Sequence, residues 1–430
     1  MKILQLLCFP LYGSGSGTYS RKLAETLVKR GHEVAIVAPD DRQLSKIKVI
    51  PVKLPFMAVF TGHPEFPNAK LYSQLSGAEL NDIQSAFSET IIKAAEEFKP
   101  DVIHVHHASN LSWIANYIKT VYQIHFLITS HNTDVMNAVF DKRYIPLTQD
   151  ALNRADIITA VSKNTRDRLL KILGKGYSSL TRKTKVVPCG VDTKIFPIEG
   201  PVNEVDKKYG LKGKKVVLYS GKITSIKGVD LFIRAAKSFP DVAFVVAGDG
   251  EEKKHMEEIA KQGNSKNIIF TGYLGNDERR LLAQLYRRAN LSVVPSTVSE
   301  GIPLSVLESM SCGTPVVASD IGGIPTAVKH MKNGILIKPK SLNSIIDGIK
   351  LILKNENLEQ KLGRQARIDA VTKFDWNVIA ESMEKYYKIL YERSMKNRAT
   401  KKPSYVSDEE YVTNKELMKK VKEQNSLGIL

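Results

Sequence analysis

Short apolar runs ending in polar residues alternate with amphipathic stretches along most of the chain. "KILQLLCF" reads as a buried strand, "GTYSRKLAETLVKRG" as a helix that Gly31 can close, and "HEVAIVAP" as a second strand. "PDVIHVHH", "IHFLITSH" and "ADIITAVS" repeat the strand pattern further on. Runs this continuously apolar belong to parallel strands covered on both faces. The rhythm breaks into Pro, Gly and charge around "KVVPCGVDTKIFPIEGPVNEVDKKYGLKGK", and a domain boundary is placed there. Alternation resumes with "KVVLYSG", a helix through "VDLFIRAAKSF", then "VAFVVAGDG", "NIIFTGY", "NLSVVPS" and "TPVVASD". The expected architecture is α/β, with two parallel-sheet domains of similar size joined once.

Composition narrows the setting. With 430 residues, 43% of them hydrophobic, the chain can fill two cores. Cys8, Cys189 and Cys312 have neither metal-ligand spacing nor an even-numbered framework, which predicts a reducing compartment without disulfides. The opening "MKILQLLCFPLYG" resembles a weak signal peptide, but a Gly-Ser loop stands where a cleavage region should be, so it reads as the first strand. No apolar run approaches the ~20 residues needed to span a bilayer. The net charge of +18 favours anionic partners without specifying one. No zinc-finger spacing and no RNA-recognition octapeptide occurs, so nucleic acid is set aside as the main partner. The cytoplasm is the expected location, with the inner membrane face as a candidate peripheral surface.

Chemistry is sought in the loops that follow strands, where open parallel sheets bind ligands. In "YGSGSGTYS", Gly13, Gly15 and Gly17 let backbone approach an anion, and a helix beginning near Thr18 offers free N–H groups. The same loop reads equally as a flexible turn, and Thr18 stands where a dinucleotide fingerprint needs its third glycine. Asp40 follows the second strand, as a ribose-binding acid or as part of a turn. In "SGKITSIKGVD", Lys222 and Lys227 sit between a strand and a helix starting near Val229; they can converge on a diphosphate or simply be solvated. In "SEGIPLSVLESMSCGTPVVAS", Pro303 suits the first turn of a helix running to Gly313. Glu300 precedes that helix and Glu308 lies more than a turn inside it. Glu300 either faces a ligand or complements the helix dipole; Glu308 either accepts from a ribose diol or is a solvated helix residue.

Glu300 and Glu308, with seven residues between them, within "VPSTVSEGIPLSVLESMSCGTPVVASDIGGIP", resemble the E-x7-E signature of the retaining glycosyltransferases of family 4, which have the two-domain GT-B fold. "SGKITSIKGVD" is similar to that family's phosphate-binding loop and "VVAGDGEEKKHMEEIA" to its Gly-Asp-Gly turn. "ADIITAVSK", "VVPCGVDTKIF" and "PDVIHVHH" resemble its first-domain landmarks. The resemblance runs from about Lys2 to about Tyr391. It implies two Rossmann-like domains facing a cleft: residues 1–192 on the acceptor side and 193–373 for the nucleotide-sugar. Residues 374–395 would form a helix returning to the first domain, and 396–430 a basic tail of unknown role. It further implies that Glu308 binds ribose, Glu300 the donor sugar, and Lys222 and Lys227 the diphosphate. Gly15, Gly17, Gly221 and the main-chain amides of Leu304 and Ser305 are assigned to the donor as well. His131, in "LITSHNTD", matches the family's active-site histidine.

When a glycosyl phosphate bond breaks, negative charge grows on the leaving diphosphate, so preorganised positive groups there are the main catalytic resource. Many enzymes hold a metal for this with Asp-x-Asp, which is absent; Asp249-Gly-Glu251 is the nearest match and reads as a turn. No metal and no cofactor is therefore expected beyond the nucleotide-sugar co-substrate. His104 and His106 share one face of a strand and His107 the other, without a carboxylate or cysteine to complete a metal site; His106 or His107 is a candidate for the acceptor cleft. Cys189 and Thr326 depart from the family pattern, which has asparagine and glutamate there; Thr326 can cap a helix beginning "AVKHM". Phe56, Met57 and Phe60 read either as an interfacial patch or as core. The expected function is transfer of a sugar from a UDP-sugar or GDP-mannose to a lipid or glycan hydroxyl. The alternatives are a non-catalytic nucleotide-sugar binder and an epimerase of the same fold.

Overall fold

The computed structural model describes residues 1–60, 66, 68–176, 178–263, 266–275 and 278–400. The first half contains β1 (Lys2–Leu6), β2 (Glu33–Ala38), β3 (Lys48–Pro51), β4 (Ala58–Val59), β5 (Lys70–Leu71), β6 (Val102–His106), β7 (Phe126–Ser130), β8 (Ile157–Ala160) and β9 (Thr184–Val186). Seven of these form one parallel sheet in the order β3-β2-β1-β6-β7-β8-β9, and β4 pairs with β5 separately. The second half contains β10 (Lys215–Ser220), β11 (Val242–Ala247), β12 (Ile268–Gly272), β13 (Leu291–Val294), β14 (Val316–Ser319) and β15 (Gly334–Ile337). They form a six-stranded parallel sheet, ordered β12-β11-β10-β13-β14-β15. The central strands are buried throughout, with Ile3, Val102, Ile103, Leu127 and Ile128 at 0% exposure, because helices cover both faces.

Every strand expected from the apolar runs is present. The strands that pattern reading passed over are short or peripheral. β3 ends in Pro51, which has no N–H to donate and is tolerated because β3 is an edge strand. β9 and β15 are also edge strands, of three and four residues, too short to show a period.

The first helix spans Gly15–Lys29 and starts earlier than Thr18, because Ser14 Oγ accepts from the Gly17 amide at 3.0 Å. Gly17 is demanded by this turn: a Cβ there would lie 2.5 Å from the Pro10 carbonyl oxygen. Gly15 has open space where its Cβ would be. The C-terminal helix Trp376–Thr400 packs on the first domain, and it runs beyond Met395, taking in residues 396–400 that were assigned to the tail. The rest of that tail lies outside the described residues. Trp376, Ile379, Ala380, Met383, Tyr387 and Leu390 form its buried stripe at helical spacing. Glu384 receives Arg30 Nε at 2.7 Å and Tyr387 OH meets His104 Nδ1 at 2.7 Å, so the helix is tied to the first sheet by polar contacts too.

The chain crosses between the domains twice, side by side. Val191 N donates to Phe374 O at 2.7 Å, and Trp376 N to Val191 O at 3.3 Å. Backbone pairing holds this crossing. Cys189 contributes only a contact of its own thiol with the Gly190 carbonyl at 3.6 Å. Thr326 lies inside the short helix Ile324–Ala327 and caps nothing, and no helix begins at "AVKHM". Phe60 is buried, and Phe56 and Met57 pack against the core, which settles that segment as core. No helix among the described residues is long and apolar enough to cross a membrane.

Candidate active site

Strand order reverses between β1 and β6 in one sheet and between β10 and β13 in the other, and crevices at such points are where doubly wound sheets bind ligands. The loops after β1, β10 and β13 carry the candidate residues, and His131 follows β7 next to β6.

In the second domain, the loop after β10 is braced from behind. Gly221 N donates to Ala247 O at 3.0 Å and Ile223 N to Asp249 O at 2.9 Å. The two turns approach so closely that a Cβ on Gly248 would sit 1.9 Å from the Gly221 carbonyl oxygen, which is why the Gly-Asp-Gly turn is there. Asp249 stays local, accepting from Gly250 N at 2.7 Å and Lys253 Nζ at 3.1 Å. Lys222 accepts from Tyr219 OH at 2.8 Å through its carbonyl, and its ammonium has no partner among the described residues. Lys227, in the 3-10 turn Ser225–Lys227, forms an ion pair with Glu300.

Glu300 is thus held on both carboxylate oxygens, by Lys227 on Oε2 and by the Ser296 hydroxyl on Oε1. Gly323 N donates to its backbone carbonyl at 2.8 Å. The helix behind it is Leu304–Ser311, with Pro303 at its N-cap, in extended conformation, one position earlier than expected. No side chain caps this helix. Leu304 and Ser305 are only partly buried, so their amides can meet an anion. Glu308 is no solvated helix residue: it is 6% exposed, with Oε1 receiving Arg279 Nη2 at 2.7 Å and Oε2 receiving Tyr286 OH at 3.3 Å. Each carboxylate oxygen keeps a second lone pair, so a diol can still be accepted. The Arg279 guanidinium lies over the Phe196 ring, 5.0 Å from its centroid.

In the first domain, Asp40 is a clamp on the glycine loop: its carboxylate accepts from Leu11 N at 2.8 Å and from Arg42 Nε at 2.8 Å, so the ribose reading falls. Asp134, 1% exposed, accepts from Ala108 N at 2.7 Å and His131 N at 3.2 Å, which joins the loops after β6 and β7. His107, at φ +78°, and Asn132, at φ +79°, adopt left-handed backbone at these loops. His104, His106 and His107 are all 0% exposed, so none of them lines an acceptor cleft. His131 packs against this group, its Nε2 3.1 Å from His106 Nδ1. Burial pushes the imidazoles of His104 and His131 down to about 3 and those of His106 and His107 well below the ordinary value, so all four are neutral. The buried Cys8 thiol, its ionisation pushed up by burial, keeps its proton and lies 3.5 Å from His107 Nδ1.

The walls meet through Arg168. Its Nη1 donates to Ser299 Oγ at 3.2 Å and to Asn132 Oδ1 at 3.4 Å, and Ser299 Oγ donates to Asn164 Oδ1 at 3.0 Å. Ser299 adjoins Glu300 and Asn132 adjoins His131, so one guanidinium brings the two loops together. Sequence reading missed Arg168, Arg279, Tyr286, Ser296 and Asp134. Arg279 and Tyr286 stand seven residues apart on the helix Arg279–Arg288, hence on one face, a spacing that marks them as neighbours but names no partner.

Residues 13–195 match the family model described as Glycosyltransferase Family 4, and residues 202–369 that described as Glycosyl transferases group 1. D-inositol 3-phosphate glycosyltransferase of Corynebacterium jeikeium is 28% identical over 404 residues, spanning 87% of this chain and 92% of its own. N-acetyl-alpha-D-glucosaminyl L-malate synthase of Bacillus anthracis is 23% identical over 396 residues, with coverages of 90% and 96%. Among solved structures, sucrose-phosphate synthase of Thermosynechococcus elongatus superposes with a TM-score of 0.73 at 23% identity, over 91% of this chain and 99% of that one. HepE of Anabaena, solved with UDP and glucose, superposes with a TM-score of 0.71 at 17% identity, over 90% and 100%. The structural likenesses establish the GT-B fold, and the two family models run in succession through both sheets with the E-x7-E helix inside the second: the chain belongs to the family 4 glycosyltransferases.

Proposed function

We propose that this enzyme moves a sugar, with retention of anomeric configuration, from a nucleoside-diphosphate sugar to a hydroxyl of a lipid or glycan acceptor, without a metal ion. The observation that carries this reading is the Arg168 bridge, which sets the Glu300 loop of one domain against the His131 loop of the other. Lys222, Lys227 and the uncapped amides of Leu304 and Ser305 would meet the leaving diphosphate where its charge grows. Glu308, steered by Arg279 and Tyr286, would accept from the ribose hydroxyls, and Glu300 from hydroxyls of the transferring sugar. His131 would stand on the sugar's other side. Departure and attack on one face of the ring then give retention.

A UDP-sugar or GDP-mannose is the proposed donor; HepE, of like fold, has been solved with UDP-glucose. Two lysines and a helix N-terminus supply the charge that a metal would otherwise bring. The net charge of +18 and the exposed Phe140 (73%), Leu147 (55%) and Tyr117 (51%) of the first domain support a lipid acceptor at the inner membrane face.

Thermal stabilisation by UDP, GDP and ADP, each with and without magnesium, tests the donor site. One nucleotide should stabilise the wild type equally in both conditions and should not stabilise Glu308→Ala. Indifference to all three, or strict dependence on magnesium, would overturn the reading. The anomeric configuration of a transferred sugar, read by proton NMR, tests retention.

A further inference from the structure

His131 is tied into a chain of buried hydrogen bonds that the reaction outlined above does not use. Its Nε2 lies 3.1 Å from His106 Nδ1, and His106 Nε2 lies 3.1 Å from Gln5 Oε1. Ser20 Oγ reaches the same Gln5 atom at 2.6 Å. Gln5, Ser20 and His106 are each 0% exposed. A separation of 2.6 Å is ordinary between a hydroxyl and an oxygen and short for a nitrogen donor, so the amide turns its oxygen toward Ser20 and His106.

The protons then follow one by one. Gln5 Oε1 only accepts, so the hydrogen of neutral His106 is on Nε2. Its Nδ1 is a lone pair, and the 3.1 Å contact becomes a hydrogen bond only if His131 carries its own hydrogen on Nε2. His131 Nδ1 is left bare. Crowding keeps the rings single-protonated: His104 lies 4.2 Å from His106 and His107 lies 4.7 Å from His131, centroid to centroid, with the Tyr19 ring edge-on to His131 at 5.1 Å.

We propose that Gln5 and His106 are positioning residues that lock His131 in its Nε2–H tautomer, so that its Nδ1 presents an acceptor to a substrate hydroxyl and the ring donates no proton in the reaction. The role given to His131 rests on the proposed function; the tautomer itself does not. A buried glutamine on β1, far from His131 in the chain, thereby decides whether the ring accepts or donates.

Long-range proton–nitrogen correlation spectra of the full chain labelled with 15N-histidine read the tautomer directly, with His131→Asn and His106→Asn assigning the signals. The wild type should show His131 with a protonated Nε2 and a bare Nδ1; the opposite pattern, or a mixture, overturns the proposal. Gln5→Met should yield the mixture and lower kcat about fivefold, the worth of one uncharged hydrogen bond, with KM for the nucleotide-sugar unchanged. Should Gln5→Met fail to fold, the wild-type spectrum alone still decides the tautomer. Because the spectrum needs no turnover, absence of sugar transfer would count against the proposed function and a wrong tautomer against this inference alone.

Discussion

Lys227 and Glu300 form an ion pair that joins the loop after β10 to the loop after β13, linking a residue assigned to the diphosphate with one assigned to the sugar. The pair is partly solvated, with side chains 28% and 20% exposed, so its own contribution to stability is small, at most ~1 kcal/mol. Lys227→Ala should therefore leave the melting temperature nearly unchanged. Nucleoside diphosphate affinity should fall roughly tenfold, as for loss of one charged hydrogen bond. Calorimetric titration checks this, and an unaltered Kd would remove Lys227 from the phosphate site.

Arg279 holds a buried carboxylate. Removing it with Arg279→Ala leaves Glu308, 6% exposed, with Tyr286 as its remaining partner, and the uncompensated charge should cost roughly 1 to 3 kcal/mol of stability. Arg279→Ala combined with Glu308→Gln should recover most of that loss, since the charge that needed a partner is gone. Urea unfolding of the two variants tests it; equal destabilisation of both would show that Arg279 acts by packing on Phe196 instead.

Arg168 spans the cleft, whereas the side chains assigned to the diphosphate and the ribose, those of Lys222, Lys227 and Glu308, all lie in the second domain. Arg168→Ala should lower kcat about tenfold, the worth of a charged hydrogen bond, and leave the nucleotide Kd within about twofold. A parallel loss of nucleotide affinity would place Arg168 on the nucleotide itself.

Three fully buried neutral histidines, His104, His106 and His107, make stability depend on pH with a definite sign. Their imidazoles are held below the ordinary value by burial first and by neighbouring histidines second. Below an unfolded value of about 6.5 the unfolded chain takes up protons that the fold refuses, so stability is lost as pH falls and is complete above 6.5. Each site costs about 1.4 kcal/mol per pH unit, or on the order of 4 kcal/mol for the three between pH 7.5 and 5.5. Denaturant midpoints at those two pH values measure the loss, and a flat profile would mean that these rings are protonated in the fold.

Much of this fold was legible along the chain because parallel strands buried on both faces are mostly apolar, even where a buried polar residue such as Gln5 or Ser292 interrupts them. β1, β7, β11 and β13 show that without help from elsewhere. β3, β9 and β15 were not legible, since an edge strand of three or four residues carries no period and its pairing partner is distant in sequence. At the site, Glu300, Glu308, Lys222, Lys227 and His131 stood out through the resemblance of the segments around them to family 4 motifs. Arg168, Arg279 and Asp134 did not, because an arginine on a helix or an aspartate in a helix's first turn looks alike whether it meets solvent or a buried partner.

By itself the sequence determined the two-sheet α/β plan and the short motifs whose spacing places Glu300, Lys222 and Lys227 in loops after strands. These are properties of neighbouring residues, set by the two-residue and 3.6-residue periods of strand and helix. Only the tertiary structure decided that Lys227 pairs with Glu300, that Arg168 ties one domain to the other, and that Gln5 reaches His131 through His106. Those contacts join residues from 25 to 131 positions apart, and a hydrogen bond depends on where two atoms come to rest, which no local period records.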